Sequence, residues 1–299
     1  MTAAAISPVT GRSYGVERVC RTWELPRSTF YARQAVAQAP TSRLLAKRGP
    51  TPKHSDEALL AFIRADLLRT PFIGEGHRKV WARLRVIDKV RVSRKRVLRV
   101  MRENHLLSPH RSRRGDGRLH DGKIITDAPN VMWGTDGARI ETVDDGWVWV
   151  FTAVEHWNTE VVGWHVCKEG SRYAALEPLS QGIQKHFGSL VAGVARGLLV
   201  RADHGPQYIS DHFINQLKFW GAAPSWAFIS EPETNGVAER FNRTLKEQAI
   251  YGRVFRNVEE VRAAVGAFVA LYNAEWLVEK LNFVSPARAR EEHALRDAA

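Results

Sequence analysis

Three carboxylates have the residue types and the surroundings for metal-assisted chemistry. They are Asp136 in Trp133-Gly134-Thr135-Asp136-Gly137, Asp203 in Ala202-Asp203-His204-Gly205-Pro206-Gln207-Tyr208, and Glu239 in Asn235-Gly236-Val237-Ala238-Glu239-Arg240-Phe241. Clustered carboxylates repel one another, and a hard, oxygen-seeking cation such as Mg²⁺ or Mn²⁺ relieves that repulsion. Two such ions roughly 3.5–4 Å apart can clamp the attacking and leaving oxygens of a phosphoryl transfer. A single acidic residue after a strand is more often a loop cap. What favours a set is that all three fall at element ends of one α/β unit, where a scaffold holds side chains rigidly. Lys246 lies seven residues after Glu239, two turns along the same helix face, and Arg243 is spaced to pair with Glu239 at i, i+4. Asn235 and Gly236 fall at that helix start, where an N-cap and a close backbone approach are expected. Gln207 and Tyr208 either line the loop around Asp203 or simply pack beside it. Glu155 is expected at a surface strand end, and Trp147 and Trp149, on one strand face, as sheet packing.

The elements that must position these groups begin near Asn130. Val131-Met132-Trp133 leads to Asp136 at the end of a first strand. Residues 147–154 form a second apolar run rich in β-formers, and Glu160–Val166 a third. Then come a helix over Tyr173–His186, a strand over Gly197–Arg201, a helix over Asp211–Trp220, a short strand over Ala223–Phe228 and a helix from Asn235 to Ile250. A strand meander followed by helix–strand alternation reads as an α/β domain with a mixed sheet. A last amphipathic helix spans 257–275.

The first part of the chain is different in kind. Residues 1–125 hold 27 Lys and Arg against 10 Asp and Glu, whereas residues 126–299 hold 17 against 22. A basic half joined to a slightly acidic one suggests that one part grips a polyanion. Residues 12–35 outline a short helix, a break at Leu25-Pro26 and a second helix capped by Ser28 or Thr29, which is either a helix-turn-helix or a plain hairpin. Residues 56–108 repeat the pattern more strongly. Their third helix is capped by Ser93, buries Val97, Leu98 and Met101, and carries Arg94, Lys95, Arg96, Arg99 and Arg102 on the other face. A face of one sign fits phosphate contacts better than plain solvation, though it carries no base-specific reading. Pro40–His54 and His110–Lys123 read as linkers. The segments are therefore 1–54 (helix-turn-helix-like, with linker), 55–110 (basic helical module), 111–125 (linker), 126–255 (α/β core) and 256–299 (C-terminal helical extension).

Composition excludes several other classes. Hydrophobic residues make up 44% and charged residues 25%, ordinary for a globular chain. No stretch approaches the roughly 20 apolar residues needed to span a bilayer, and the first 20 residues lack a secretory pattern. Two cysteines are too few for a disulfide framework or a four-cysteine zinc site, so the expected compartment is the reducing cytoplasm.

The order Asp136, Asp203, Glu239, with 35 residues between the last two, together with the motifs around Asp203 and from Asn235 to Lys246, resembles the retroviral-integrase-like core of bacterial insertion-sequence transposases. The likeness is greatest to the second-frame product of two-frame elements, and it extends to Gly76–Leu107. The resemblance implies an RNase H-like catalytic core behind small all-α helix-turn-helix-like modules. It also implies an Asp-Asp-Glu triad holding two Mg²⁺ or Mn²⁺ ions and direct in-line attack on a phosphodiester by water or a 3′-hydroxyl. Lys246 and Arg243 would contact DNA, and His204 would shape its loop, since such chemistry uses carboxylates. Implied partners are double-stranded DNA (element ends and target), further copies of the chain on that DNA and an upstream-frame protein. The implied location is the bacterial cytoplasm, at the nucleoid. There are departures. Tyr272-Asn273 and Ser285-Pro286 fit, but the Arg-Pro-His segment usual between them is missing, and so is the zinc-binding His/Cys domain of retroviral integrases. End recognition would then fall to the helical modules. The alternatives are an RNase H-like nuclease without strand transfer and an inactive DNA-binding protein of integrase fold.

Overall fold

The computed structural model describes residues 3–38, 52–108, 124–226 and 235–298. Most of the connector expected over Pro40–His54, most of the linker expected over 111–125, and the end of the short strand expected to reach Phe228 lie outside the described residues. The chain divides into two compact units, Met1–Lys53 and His54–Ala299. In the first, α1 (Gly15–Thr22) buries Val19 and Cys20, and α2 (Arg27–Gln38) begins directly after Pro26, earlier than a Ser28 cap would place it.

The second unit opens with three helices, α3 (Asp56–Arg69), α4 (His77–Val86) and α5 (Arg94–Glu103), wound around Leu59, Ile63, Val80, Leu84, Val97, Val100 and Met101. Ser55 and Ser93 cap α3 and α5 by accepting hydrogen bonds from Ala58 N and Arg96 N. Val100 takes the fully buried place expected of Leu98, which is half-buried. Arg83 lies inside this module, its guanidinium donating to Asp66 at 2.8 and 2.7 Å and also to Glu75.

A five-stranded sheet follows, in the order β3-β2-β1-β4-β5. β1 (Met132–Thr142), β2 (Gly146–Glu155) and β3 (Val161–Cys167) form the antiparallel meander, while β4 (Leu199–Ala202) and β5 (Ala223–Trp226) run parallel to β1. One face is covered by α6 (Arg172–Phe187) and α7 (Asp211–Trp220), with Trp133, Phe151, Leu179 and Phe213 between the layers. The other is covered by α8 (Gly236–Leu245) and α9 (Val258–Glu275), which bury Ile140, Val148, Val150, Phe241, Val265 and Phe268. This is the α/β mixed-sheet class read from the sequence, with the helical region N-terminal to it.

β1 runs six residues past Asp136, so that carboxylate sits inside a strand and not at its end. Ala138, Ile140 and Thr142 supply the inward alternation that carries the strand to a hairpin with β2, despite Gly137 and the outward Arg139 and Glu141. The position still marks a boundary in the sheet: β4 pairs with β1 only at Met132–Gly134.

Glu155 corrects the sequence reading more sharply. It is fully buried, accepting from Asn130 N (2.6 Å), Trp133 Nε1 (3.0 Å) and Trp157 N (3.1 Å). Arg290 of α10 (Pro286–Asp297) reaches Glu155 at 3.4 Å, Asn130 Oδ1 at 3.2 Å and also buried Glu160. Nothing in the local pattern signals this, because the partner is 135 residues away. Arg290→Ala leaves two buried carboxylates without their shared cation. It should lower stability by about 3–5 kcal/mol in urea unfolding, and a loss below about 1 kcal/mol would refute that role for Arg290.

Candidate active site

Asp136 is half-buried on β1, with its side chain toward α8. Its Oδ2 accepts from Asn242 Nδ2 at 2.8 Å and its Oδ1 from Gly137 N at 2.8 Å. The same Asn242 amide accepts from Thr152 Oγ1 at 3.1 Å, so the group that holds Asp136 is itself fixed to β2. Asn242 is buried one turn beyond Glu239, within a motif whose local pattern assigns it no role.

Asn235 behaves differently from the expected helix cap. Its side chain makes no capping bond and instead donates from Nδ2 to Thr135 O at 2.9 Å, tying the start of α8 to β1. The glycine that permits this approach is Gly134, not Gly236. A Cβ on Gly134 would meet Asn235 Oδ1 at 3.0 Å and His156 Nε2 at 3.1 Å, whereas one on Gly236 would meet nothing within 4 Å. Burial pushes the His156 imidazole down to about 4, so this neighbour is neutral at neutral pH.

Asp203 follows β4 directly and is exposed; its Oδ1 accepts from Gly205 N at 2.9 Å, which fixes the loop turn. Its charge reaches Asp136. Burial first, and then Asp203, push the Asp136 carboxyl above its usual range, against the Asn242 and Gly137 hydrogen bonds and the charge of Lys246. Tyr208 is wholly buried beneath the pair. Burial, with the charges of Asp136 and Asp203, raises its phenol well above the ordinary value, so Tyr208 packs under the loop as a neutral ring and does not line it. His204 lies near Trp226, ring centroids 5.9 Å apart.

Glu239 is exposed in the first turn of α8. The structure therefore brings Asp136 and Asp203 into electrostatic contact and displays Glu239 from the neighbouring helix. Among the described residues, no three His, Cys, Asp or Glu side chains are close enough together to hold a metal ion. Lys246 does not continue α8 as a regular turn. It opens a π-helical turn, Lys246–Ile250, and is half-buried within electrostatic reach of Asp136. Arg243 is exposed.

The basic face of α5 is less uniform than its sequence. Arg96 and Arg99 both grip Asp56, at 2.6 Å each, and Arg99 also pairs with Glu103. Arg94 approaches Glu279 at 3.5 Å, while Lys95 and Arg102 are exposed. The module packs on the core through Ile73, whose backbone exchanges two hydrogen bonds with the Gln248 amide (2.8 and 2.7 Å), and through Phe72 against Trp276.

The chain is similar to several known proteins. Residues 126–231 and 226–286 match two family models described as integrase core domain, and residues 75–114 match an HTH-like domain. The chain is 25% identical over 295 residues to the transposase for insertion sequence element IS629 of Shigella sonnei, covering 94% of this chain and 93% of that one. It is 27% identical over 181 residues to the transposase InsD of insertion element IS2 of Escherichia coli, covering 58% of this chain and 60% of that protein. Among solved structures, the catalytic core domain of BIV integrase aligns over 57% of this chain and 99% of its own length, at 20% identity and a TM-score of 0.42. The HTLV-2 integrase catalytic core in complex with magnesium aligns over 54% of this chain and 97% of its own, at 14% identity and a TM-score of 0.41. Among the described residues no helix is long and apolar enough to cross a membrane.

Proposed function

Since the chain carries an integrase core domain behind an HTH-like domain, we propose that it is a DNA transposase that cuts and joins strands at insertion-sequence ends. Asp136, Asp203 and Glu239 would be its metal-holding triad. The observation that supports this reading best is the Asp136–Asp203 pair, one carboxylate within β1 and the other just past the end of β4. Burial, and then repulsion by Asp203, raise the Asp136 carboxyl. A divalent cation fits such a pair, and Glu239, which stands apart from it in the first turn of α8, would complete the oxygen set by moving toward it when the ion binds. Mg²⁺ or Mn²⁺, when bound, supplies activation of the attacking oxygen and stabilisation of the leaving one.

The chain's own contribution is placement. Asn242 orients the Asp136 carboxylate, Gly205 N orients that of Asp203, and Lys246 offers a cation to the phosphate beside them. Arg243 would contact the same strand. On the helical module, Lys95, Arg102 and Arg94 would meet the DNA backbone first, with Arg96 and Arg99 following only if Asp56 releases them. Joining two element ends to a target calls for at least two copies of the chain on the DNA.

The test uses end-labelled duplex carrying an element terminus, incubated with the full chain and Mn²⁺. Nicked strands and longer, joined strands are the expected products. Nicks with no joined strand would instead support the nuclease alternative, and no product at all would overturn both.

Asn242 gives a second, positioning-level test. Asn242→Leu removes a hydrogen bond that favours ionised Asp136, so the carboxyl should move up further. Cleavage near neutral pH should fall about ten- to hundredfold, in line with the loss of one positioned hydrogen bond to a charged group. The loss should shrink as pH rises. A pH-independent loss would mean that Asn242 serves packing alone.

A further inference from the structure

Trp147 does not sit in the sheet core where its alternation places it; it is 55% exposed. It lies on the rim of an open groove of about 380 Å³ between β1 and the turn that follows the π-helical segment. This groove exists because β4 leaves β1 after Gly134, freeing the strand's outer edge. The chain returns to that edge only at the hairpin, where Val143 N and Asp144 N donate to Phe255 O and Arg256 O at 3.0 and 2.7 Å. Lining the gap are three cations, Arg139, Lys246 and Arg253, one carboxylate, Glu141, and two exposed rings, Trp147 and Tyr251. Tyr251 is 64% exposed and precedes Gly252, which adopts φ +79° with open space around it. Arg139 stands 5.7 Å from the Trp147 ring centre and 5.5 Å from that of Trp149.

Large aromatic surface left in water beside a net positive charge is the composition of a single-strand platform: cations track the phosphates and bases stack on the rings. Duplex DNA needs the cations alone, since its bases are already stacked. The groove shares one residue with the candidate active site, Lys246, which lines it and whose charge also acts on Asp136. We propose that this groove holds an unpaired stretch of DNA strand adjoining the phosphate to be attacked, with a base against Tyr251 or Trp147 and phosphates on Arg139 and Arg253. The proposal rests on reading the chain as a DNA strand-transfer enzyme.

The test measures binding of the full chain, in EDTA, to a labelled blunt duplex and to the same duplex with a short unpaired extension. The wild type should prefer the extended DNA by about tenfold, within what stacking on one aromatic ring supplies. Tyr251→Ala should abolish that preference without weakening blunt-duplex binding. Arg139→Ala should also reduce it and should lower the log–log salt slope for the extended DNA by about 0.7. Quenching of tryptophan fluorescence by the extension should disappear in Trp147→Phe. Variants that keep the wild-type preference would overturn the proposal, as would competition by polyglutamate as strong as that by the unpaired strand, which would mark an acidic-peptide site. A wild type that prefers the extended DNA in EDTA but cuts no strand with Mn²⁺ would defeat the triad while leaving the groove result standing. A wild-type enzyme that joins strands yet shows no preference for the extension would defeat the groove and leave the triad standing.

Discussion

Asp203→Asn is expected to reduce strand cleavage by at least about a thousandfold while leaving the fold intact. The substitution is nearly isosteric, and the asparagine oxygen can still accept from Gly205 N, which Asp203 Oδ1 does at 2.9 Å. Its side chain is exposed after β4, so little packing is at stake. What disappears is one negative charge from a pair that a divalent cation would bridge, and electrostatic stabilisation of a phosphoryl-transfer transition state by such a centre is worth several kcal/mol. About 4 kcal/mol corresponds to the thousandfold loss. A second readout separates the pairing from activity. Because the Asp203 charge helps to hold the Asp136 carboxyl up, its removal should move that carboxyl down, which a carboxyl-carbon NMR titration detects. Wild-type cleavage by the variant would remove Asp203 from the triad. An unmoved Asp136 would mean that the two carboxylates do not face each other in solution.

What the sequence discloses about this site follows from the range of the interactions involved. The strand and helix periodicities, the helix start capped by Ser93 and the apolar run of β2 are local, and the elements appear close to where the pattern puts them. The triad candidates are legible for the same reason, as they lie in short motifs at known offsets. The residues that hold them are not. Asn242 matters because α8 lays it between Asp136 and Thr152, which belong to different strands, and Asn235 abandons its cap to bond Thr135 O. Glu155 reads as a surface strand end until Arg290 and the Asn130 turn cover it. Trp147 errs in the opposite direction: alternation fixes its sheet face, but only the layout of covering elements decides whether that part of the face is wet. The uniform charge of α5 likewise hides Asp56, on a different helix, which occupies two of its arginines.

The same division between local pattern and distant approach sets the largest expected loss of stability, at Gly163→Ala. Gly163 lies on β3 beside a bulge, where the register with β2 shifts between Ala153 and Val154. A Cβ there would fall 1.9 Å from Pro178 O and 2.7 Å from Pro178 C of α6. Both are backbone atoms in the middle of a helix, so no side-chain rotation relieves the overlap; α6 and the sheet must part. Their contact is close elsewhere too, since a Cβ on Gly182 would meet the Trp133 ring at 2.8 Å. Adding a methyl to a packed core costs about 1–3 kcal/mol when neighbours can yield. With backbone on both sides the expected cost is about 4 kcal/mol or more, a range confined to a few severe mechanisms. Gly188→Ala provides the control: that glycine caps α6 at φ +83° with open space around it, so strain alone should cost about 1–2 kcal/mol. Urea unfolding of the two variants measures the difference, and equal losses would show that α6 has room to move. The consequence reaches the candidate site, because Trp133, gripped by α6, lies on the same strand as Asp136. Any Gly163→Ala protein that folds should therefore also cleave DNA more slowly, with its Asp136–Asn242 hydrogen bond loosened at the root of β1.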